Sequence, residues 1–251
     1  MTARFGFVLL GLMVSWPVFG AAKNPAAEPA QRDDRWVRRH NHLIDDVKSH
    51  AGKVDVLFVG DAIVDNFREA QLGITSFSKI DTGGGKTVWE EQWKPLNALN
   101  IGVAGDRTEH ILWRLQNGGV AGIKPKVVVV LAGAANLLEN SDEQIAGGVK
   151  AVVQEVRKQL PEAKVLLMGI FPRGYTGKDP MQVRVKNINT QIAKLDDGGK
   201  TTKYLDIGNK FLDDKGGAIA EMMPDRANLN TKGYRVWTES IKGVVEGMMK
   251  K

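Results

Sequence analysis

The chain has 251 residues, of which 43% are hydrophobic and 25% are charged, with a formal net charge of +6 and no cysteine. This length suits one domain with a sizeable core, and the composition is typical of a globular protein rather than a disordered one. Because cysteine is missing, a disulfide framework and a lipoprotein attachment site are excluded. Lysine and arginine alternate with acidic residues, which favours a mixed surface over nucleic-acid binding.

The first twenty residues have the pattern of an export signal. Arg4 supplies a positive charge, and the apolar run over residues 5–19 is too short to span a bilayer comfortably. We predict a signal peptide over 1–20, an Ala/Pro-rich linker over 21–31 and one domain over 32–251. The protein is then secreted or periplasmic, with no stable membrane span after cleavage. An uncleaved anchor is the alternative.

The rest of the chain alternates between short branched apolar runs and segments of helical spacing. The runs predict five strands, at residues 54–59, 96–103, 127–132, 163–170 and 203–207. The helical segments cover residues 33–50, 108–115, 141–160, 180–195 and 231–249. This alternation predicts an α/β protein, a three-layer α/β/α flavodoxin-like fold with about five parallel strands and right-handed crossovers.

Two segments carry residue types that occur in binding sites. His40 and His42 are two residues apart and do not share a helix face, so we expect them and His50 to be solvent-exposed rather than metal ligands. Residues 83–87 resemble a phosphate-binding loop, but Ile80 replaces its first glycine and no clear strand precedes it. A glycine turn is favoured, nucleotide binding is the alternative, and no metal or other cofactor is predicted.

The first strand ends in the residues most informative about function. Gly60 closes the strand in a sharp turn, Asp61 follows, and Ala62 begins what reads as a helix. Such a turn presents one side chain at the carboxyl end of a central strand, where open α/β sheets bind ligands.

Four ordered blocks resemble the SGNH (GDSL) hydrolase family, in particular its branch of brain-type platelet-activating-factor acetylhydrolase catalytic subunits. Gly-Asp-Ala-Ile at residues 60–63 is similar to the family's Gly-Asp-Ser block without its serine. The other blocks are residues 100–118, 124–136 and 223–234. The resemblance runs from about residue 32 to the C-terminus and implies the SGNH form of the three-layer fold.

The resemblance also assigns five positions of an esterase site, and three of them have lost their chemistry. Ala62 stands at the nucleophile position, Ala135 at the oxyanion asparagine and Asn228 at the histidine base. Asp225 matches the retained acid and Gly105 the retained oxyanion N–H donor, although a simple turn explains this glycine equally well. A methyl group cannot attack a carbonyl, and a neutral amide cannot take a proton at useful pH.

The resemblance therefore implies an exported protein with a hydrolase fold that is not an esterase as written, needs no cofactor and retains a cleft for an acyl ester, lipid or glycan. An active acyl-ester hydrolase that uses Asp61, Asp106 or Asp225 instead is the alternative. Ala134, Arg226 and Ala227 also depart from the family pattern, so the sequence fits either a natural inactive protein or an altered copy of an active enzyme. Brain-type relatives pair, but no segment here indicates a homodimer interface.

Overall fold

The structure is a computed structural model that describes residues 23–70 and 83–250. The predicted signal peptide over residues 1–20 lies outside the described residues. Within those two ranges, every helix is too short or too polar to cross a membrane.

Five parallel strands form one sheet in the order β2-β1-β3-β4-β5. The strands are β1 (Val56–Gly60), β2 (Ala98–Asn100), β3 (Val127–Leu131), β4 (Lys164–Met168) and β5 (Thr202–Leu205). Gly60, the last residue of β1, is in register with Leu131, the last residue of β3. The segments that follow these two strands therefore start side by side at the carboxyl edge of the sheet.

Helices cover both faces of this sheet. They are α1 (Asp34–Ser49), α2 (Ala62–Asp65), α3 (Lys86–Gln92), α4 (Thr108–Gln116), α5 (Asp142–Gln159), α6 (Pro180–Ile192) and α7 (Thr231–Met249). Apolar residues of α4, α5 and α6 pack together in one core cluster, and those of α3 and α7 pack in a second. In β1, Leu57 and Val59 belong to the first cluster while Val56 and Phe58 belong to the second, as the alternation of a strand buried on both faces requires.

The predicted three-layer α/β fold is confirmed, and the bounds of α7 agree with those predicted from its apolar spacing. The second strand is shorter than the predicted run over residues 96–103. Its irregular continuation still follows β1, because the amides of Ile101 and Val103 donate to the carbonyls of Phe58 and Gly60.

The segment from residue 23 to residue 31 differs from the expected linker, because it packs against the domain. Pro25–Ala27 form a 3-10 turn in which Ala26 is fully buried, and the Ala26 carbonyl accepts a hydrogen bond from Thr108 Oγ1 at 2.6 Å. A Cβ on Gly148 would lie 2.5 Å from the same carbonyl, so this glycine of α5 makes the close approach possible.

The expectation that the histidines are exposed is wrong for His40, although His42 and His50 are exposed. His40 lies between Trp36 and Trp113, with ring centroids 6.1 and 5.2 Å away. Its Nε2 is 3.0 Å from the carbonyl oxygen of Asn117 and therefore donates to it. Burial lowers the pKa of His40, so this histidine is a neutral core residue.

Candidate functional site

The turn after β1 is held by Asp61. Its Oδ1 accepts a hydrogen bond from the Ile63 amide at 3.2 Å, and the residue caps α2 while only 2% exposed. Gly60 is required here because a Cβ would lie 2.1 Å from the carbonyl oxygen of Leu131. Ala62 is half-buried as the first residue of α2, so its methyl group is held at the carboxyl edge of the sheet.

Helix α7 anchors this turn from the other side. The fully buried hydroxyl of Tyr234 donates to the Ile63 carbonyl at 2.7 Å, and the Tyr234 ring stacks on Phe67 with centroids 4.6 Å apart. Burial raises the pKa of Tyr234 well above its ordinary value, and the Asp61 carboxyl group adds to this shift. The phenol therefore stays protonated and fixes the position of α2.

Gly105 lies in an exposed loop beyond β2. The loop is attached to β1 through the Val103 amide, and Gly105 has a φ of 78°, a conformation that side chains with a Cβ rarely adopt. Asp106, which follows it, is fully buried and accepts hydrogen bonds from Arg114 Nε at 2.7 Å and Trp36 Nε1 at 2.6 Å. Asp106 is therefore a structural support of this loop.

In the loop after β3, Ala135 carries a methyl group at the position where the family resemblance implies the side-chain amide of an asparagine. Ala135 is half-buried in the 3-10 turn Ala134–Asn136. Asn136 is fully buried, accepts from the Thr108 amide at 2.9 Å and donates to Glu109 Oε2 at 3.0 Å. Because these contacts occupy its side chain at α4, Asn136 cannot supply the amide missing at position 135.

Asp225 and Asn228 form a closed pair in the loop before α7. Asn228 Nδ2 donates to Asp225 Oδ2 at 2.7 Å, while the amides of Ala227 and Asn228 donate to Oδ1 at 3.0 and 2.7 Å. Both oxygens of Asp225 are thus occupied. Asn228 presents to Asp225 the kind of N–H that a histidine Nδ1 would present, but it carries no basic nitrogen.

Arg226, between these two residues, fastens the loop to its neighbours. It has a φ of 59°, its guanidinium bonds to the Ala218 carbonyl, and this group lies 5.2 Å over the Tyr175 ring. Its own carbonyl accepts from the Gly174 amide at 3.2 Å. These contacts connect the loop before α7 to the loop after β4.

Sequence reasoning missed one residue that acts on the turn after β1. Arg173 follows β4, and its Nε is buried without a hydrogen-bond partner in the described parts of the chain, as is Oδ2 of Asp61. Burial raises the pKa of Asp61 to about 6, and the positive charge of Arg173 opposes this shift. The position of the Pro-Arg-Gly sequence directly after a strand was the signal that could have indicated Arg173.

The structure brings the segments of all five predicted site residues to the carboxyl edge. Ala62, Ala135, Asp225 and Asn228 are half-buried and Gly105 is exposed.

The glycine-rich turn serves packing instead. The amides of Gly84 and Gly85 donate to the carbonyls of Ala70 and Asn66, and a Cβ on Gly85 would lie 2.5 Å from the Phe67 ring. Two amides needed to cradle a phosphate are therefore engaged. Over residues 23–70 and 83–250, no three His, Asp or Glu side chains are grouped to hold a metal ion.

Comparisons with known proteins agree with the fold. Residues 58–236 match the GDSL-like Lipase/Acylhydrolase family. Platelet-activating factor acetylhydrolase IB subunit alpha2 of Rattus norvegicus is 37% identical over 220 residues, which cover 85% of each chain. Subunit alpha1 of the same organism is 33% identical over 220 residues, covering 86% of each chain.

Solved structures share the architecture at lower identity. A putative platelet activating factor from Streptococcus pneumonia superposes with a TM-score of 0.63 at 16% identity, covering 84% of this chain and 95% of that one. A putative acylhydrolase from Bacteroides fragilis gives a TM-score of 0.64 at 15% identity, covering 87% of this chain and all of the other. At these identities the likeness concerns the fold.

Proposed function

Because the chain belongs to the GDSL-like lipase/acylhydrolase family, we propose that it is an exported member that binds an acyl ester without hydrolysing it. The carboxylic-ester chemistry of the family requires a nucleophile, a base and oxyanion donors at the carboxyl edge of the sheet. This chain keeps the scaffold for these groups and replaces three of them.

The observation that carries the proposal is the Asp225–Asn228 pair. A 2.7 Å hydrogen bond from the Asn228 amide uses the carboxylate that would orient a base. The side chain at the base position therefore has the right partner and the wrong chemistry, because an amide nitrogen takes no proton at neutral pH. With a methyl group at Ala62, neither step of acyl transfer has a group to perform it.

A retained cleft is the second part of the proposal. The half-buried Ala62, Ala135 and Asn228 leave the edge of the sheet accessible, and Gly105 keeps its turn. Ala62 and Ala135 are smaller than the serine and asparagine of the family at these positions, which leaves room for an ester or for an acylated lipid or glycan. Export follows from the predicted signal peptide over residues 1–20 and stays part of the proposal.

The test measures turnover and binding separately. The purified protein is incubated with 4-nitrophenyl acetate, and its melting temperature is measured with and without triacetin, a soluble acetyl ester. We expect no release of nitrophenolate above the uncatalysed rate and a rise in melting temperature with triacetin. Protein-dependent turnover would overturn the claim of inactivity, and the lack of any stabilisation would overturn the claim of binding.

A second candidate is hydrolysis by Asp61, whose Oδ2 has no hydrogen-bond partner among residues 23–70 and 83–250 and whose pKa is raised to about 6. As a general base, the carboxylate would take a proton from water while the water oxygen attacks the acyl carbon, and the proton would pass to the leaving alcohol. The other candidate acids are less suited, because the oxygens of Asp106 and Asp225 accept hydrogen bonds already. Turnover that disappears in Asp61→Asn would identify this route.

A further inference from the structure

A cavity of about 500 Å³ lies between α6 and the segments that follow β4 and β5. This volume is within the range of small-molecule sites, which combine apolar walls with a few fixed polar groups. None of the five predicted site positions lines the cavity, so the proposed function does not use it. Its apolar walls come from Ile170, Pro172, Val185, Ala193 and Leu212.

One end of the cavity carries a carboxylate. Asp206 Oδ1 accepts from the Gly208 amide at 2.7 Å, and Oδ2 accepts from Asn189 Nδ2 at 3.1 Å. The Tyr204 hydroxyl also donates to Oδ2, at 3.3 Å. Burial raises the pKa of Tyr204 and the Asp206 charge adds to this shift, so the phenol stays protonated. All three donors are neutral, and Asp206 forms no ion pair within residues 23–70 and 83–250.

Buried neighbours hold this carboxylate in place. Asn189 is only 8% exposed and bonds to both backbone groups of Ile170, accepting from the amide at 2.8 Å and donating to the carbonyl at 3.0 Å. A Cβ on Gly169 would lie 2.8 Å from Cγ of Asp206, so this glycine makes the close packing possible. The position of Asp206 is therefore fixed by the fold, as a preorganised binding group requires.

A free donor lies elsewhere along the same helix. Gln182 lines the cavity and is 2% exposed. Its Oε1 accepts from the Arg173 amide at 2.9 Å, which fixes the orientation of the side-chain amide, because the opposite orientation would set two N–H groups against each other. Its Nε2 has no hydrogen-bond partner in the described parts of the chain. This donor can therefore serve an acceptor in the cavity.

The spacing along α6 separates the two ends. Gln182, Lys186 and Asn189 are at positions i, i+4 and i+7 and share one face of the helix. At 1.5 Å per residue, Gln182 and the asparagine that holds Asp206 are about 10 Å apart along the axis. Lys186, between them, is exposed, lines the cavity and makes no ion pair over the described ranges. The cavity therefore has a negative charge at one end and a donor and a positive charge toward the other.

We propose that this cavity binds a linear zwitterion whose ammonium and carboxylate groups are separated by several atoms. The ammonium group donates to Asp206, and the carboxylate accepts from Gln182 Nε2 and pairs with Lys186. The chain between the two charges lies against the apolar walls. ω-Amino acids and short peptides share this chemistry. The proposal does not depend on ester binding, because it uses other residues.

The competing explanation is that Asp206 only closes the turn after β5 and that solvent alone fills the cavity. Asp206→Asn removes the negative charge, while Gln182→Glu keeps an acceptor for the Arg173 amide and removes the free donor. Asp214→Asn and Gln191→Glu make the same chemical changes at positions that do not line the cavity, the second of them on α6.

The first experiment varies the ligand on the unchanged protein. Isothermal titration calorimetry at constant ionic strength measures 6-aminohexanoate and the dipeptide alanylalanine. The comparison compounds are 2-aminohexanoate, an isomer with adjacent charges, and hexylamine and hexanoate, which each lack one charge. We expect saturable binding of a separated zwitterion that is about tenfold tighter than that of any comparison compound. No binding of either separated zwitterion, or an affinity equalled by a comparison compound, would overturn the proposal.

The second experiment varies the protein. Asp206→Asn and Gln182→Glu should each weaken the binding by about tenfold or more, and their matched controls should bind as the parent does. Circular dichroism and the melting temperature verify that all four variants are folded. Equal loss in a variant and its control would overturn the site.

The source of the zwitterion and the separation from the ester cleft follow from the same titrations. Tighter binding of alanylalanine indicates a peptide, and tighter binding of 6-aminohexanoate indicates an ω-amino acid. Triacetin should leave both affinities unchanged, and competition by triacetin would overturn the assignment to this cavity. If triacetin fails to stabilise the protein while a zwitterion binds, the proposed function fails alone.

Discussion

Restoring the missing groups should restore esterase activity, and the family resemblance indicates which changes are needed. The perturbation is Ala62→Ser with Asn228→His, with or without Ala135→Asn. Asn228 already donates to Asp225 Oδ2 at 2.7 Å, so Nδ1–H of a histidine at this position reaches the same oxygen. The imidazole then has its Nε2 available to take the proton of the new serine hydroxyl.

The magnitude follows from what each group contributes. Loss of a nucleophile or base costs about a millionfold in a comparable serine hydrolase, and losing both costs little more than losing one. Each single revertant should therefore stay at the uncatalysed rate, and the double revertant should gain several orders of magnitude. Ala135→Asn should add a further factor of about a hundred to a thousand, since it returns an oxyanion donor.

The assay is the initial rate of 4-nitrophenyl acetate hydrolysis as a function of pH, with an organophosphate to titrate the new serine. The double revertant should lose its activity when one equivalent of phosphoryl group is bound to the serine and the leaving group of the reagent is released. Its rate should rise with pH as the histidine deprotonates. If the triple revertant is folded but as inactive as the starting protein, the five residues do not form one site.

Three further predictions test the residues that hold the site. Asp61→Asn removes a buried carboxyl group whose pKa is raised from 3.8 to about 6. The protonated carboxyl favours the folded state, so its contribution to the free energy of unfolding is present below pH 4 and is lost as the pH rises through 6. Urea unfolding should therefore show Asp61→Asn gaining up to about 3 kcal/mol relative to the parent on going from pH 4 to pH 7, and equal differences at both pH values would contradict this. Tyr234→Phe leaves the Ile63 carbonyl without its donor and should cost about 1–3 kcal/mol in the same assay; an unchanged midpoint would show that the bond at α2 is not important. Gly148→Ala inserts a methyl group against the Ala26 carbonyl and should cost about 1–3 kcal/mol while exposing residues 23–31 to faster tryptic cleavage, whereas cleavage at the parental rate would mean that this segment is not held there.

Much of the fold could be predicted from apolar periodicity. The residues of β3 are branched and apolar throughout because both faces of the strand are buried, and the helical spacing of α7 is sustained over its whole length. By contrast, β2 is short because its continuation pairs irregularly with β1. Periodicity does not report where regular pairing stops.

The parts that could not be predicted depend on contacts between distant segments. His40 looks like a polar helix residue, and only the fold places it between Trp36 and Trp113. The composition of residues 23–31 is that of a linker. Gly148, which allows the Ala26 carbonyl to approach α5, lies more than a hundred residues further along the chain. The resemblance could propose the site positions, whereas it could not indicate the surroundings of Asp61 and Arg173.

The packed N-terminal segment has a practical consequence for anyone trimming the protein. Composition suggests starting a shortened version at α1. Such a version would lack Ala26, which is buried against Gly148 of α5, and Arg32, whose guanidinium lies against Gly105. Ligand screening with such a version would use a protein that lacks these contacts around α5 and Gly105. A start at residue 23 keeps both contacts and gives the more faithful starting material for ligand discovery.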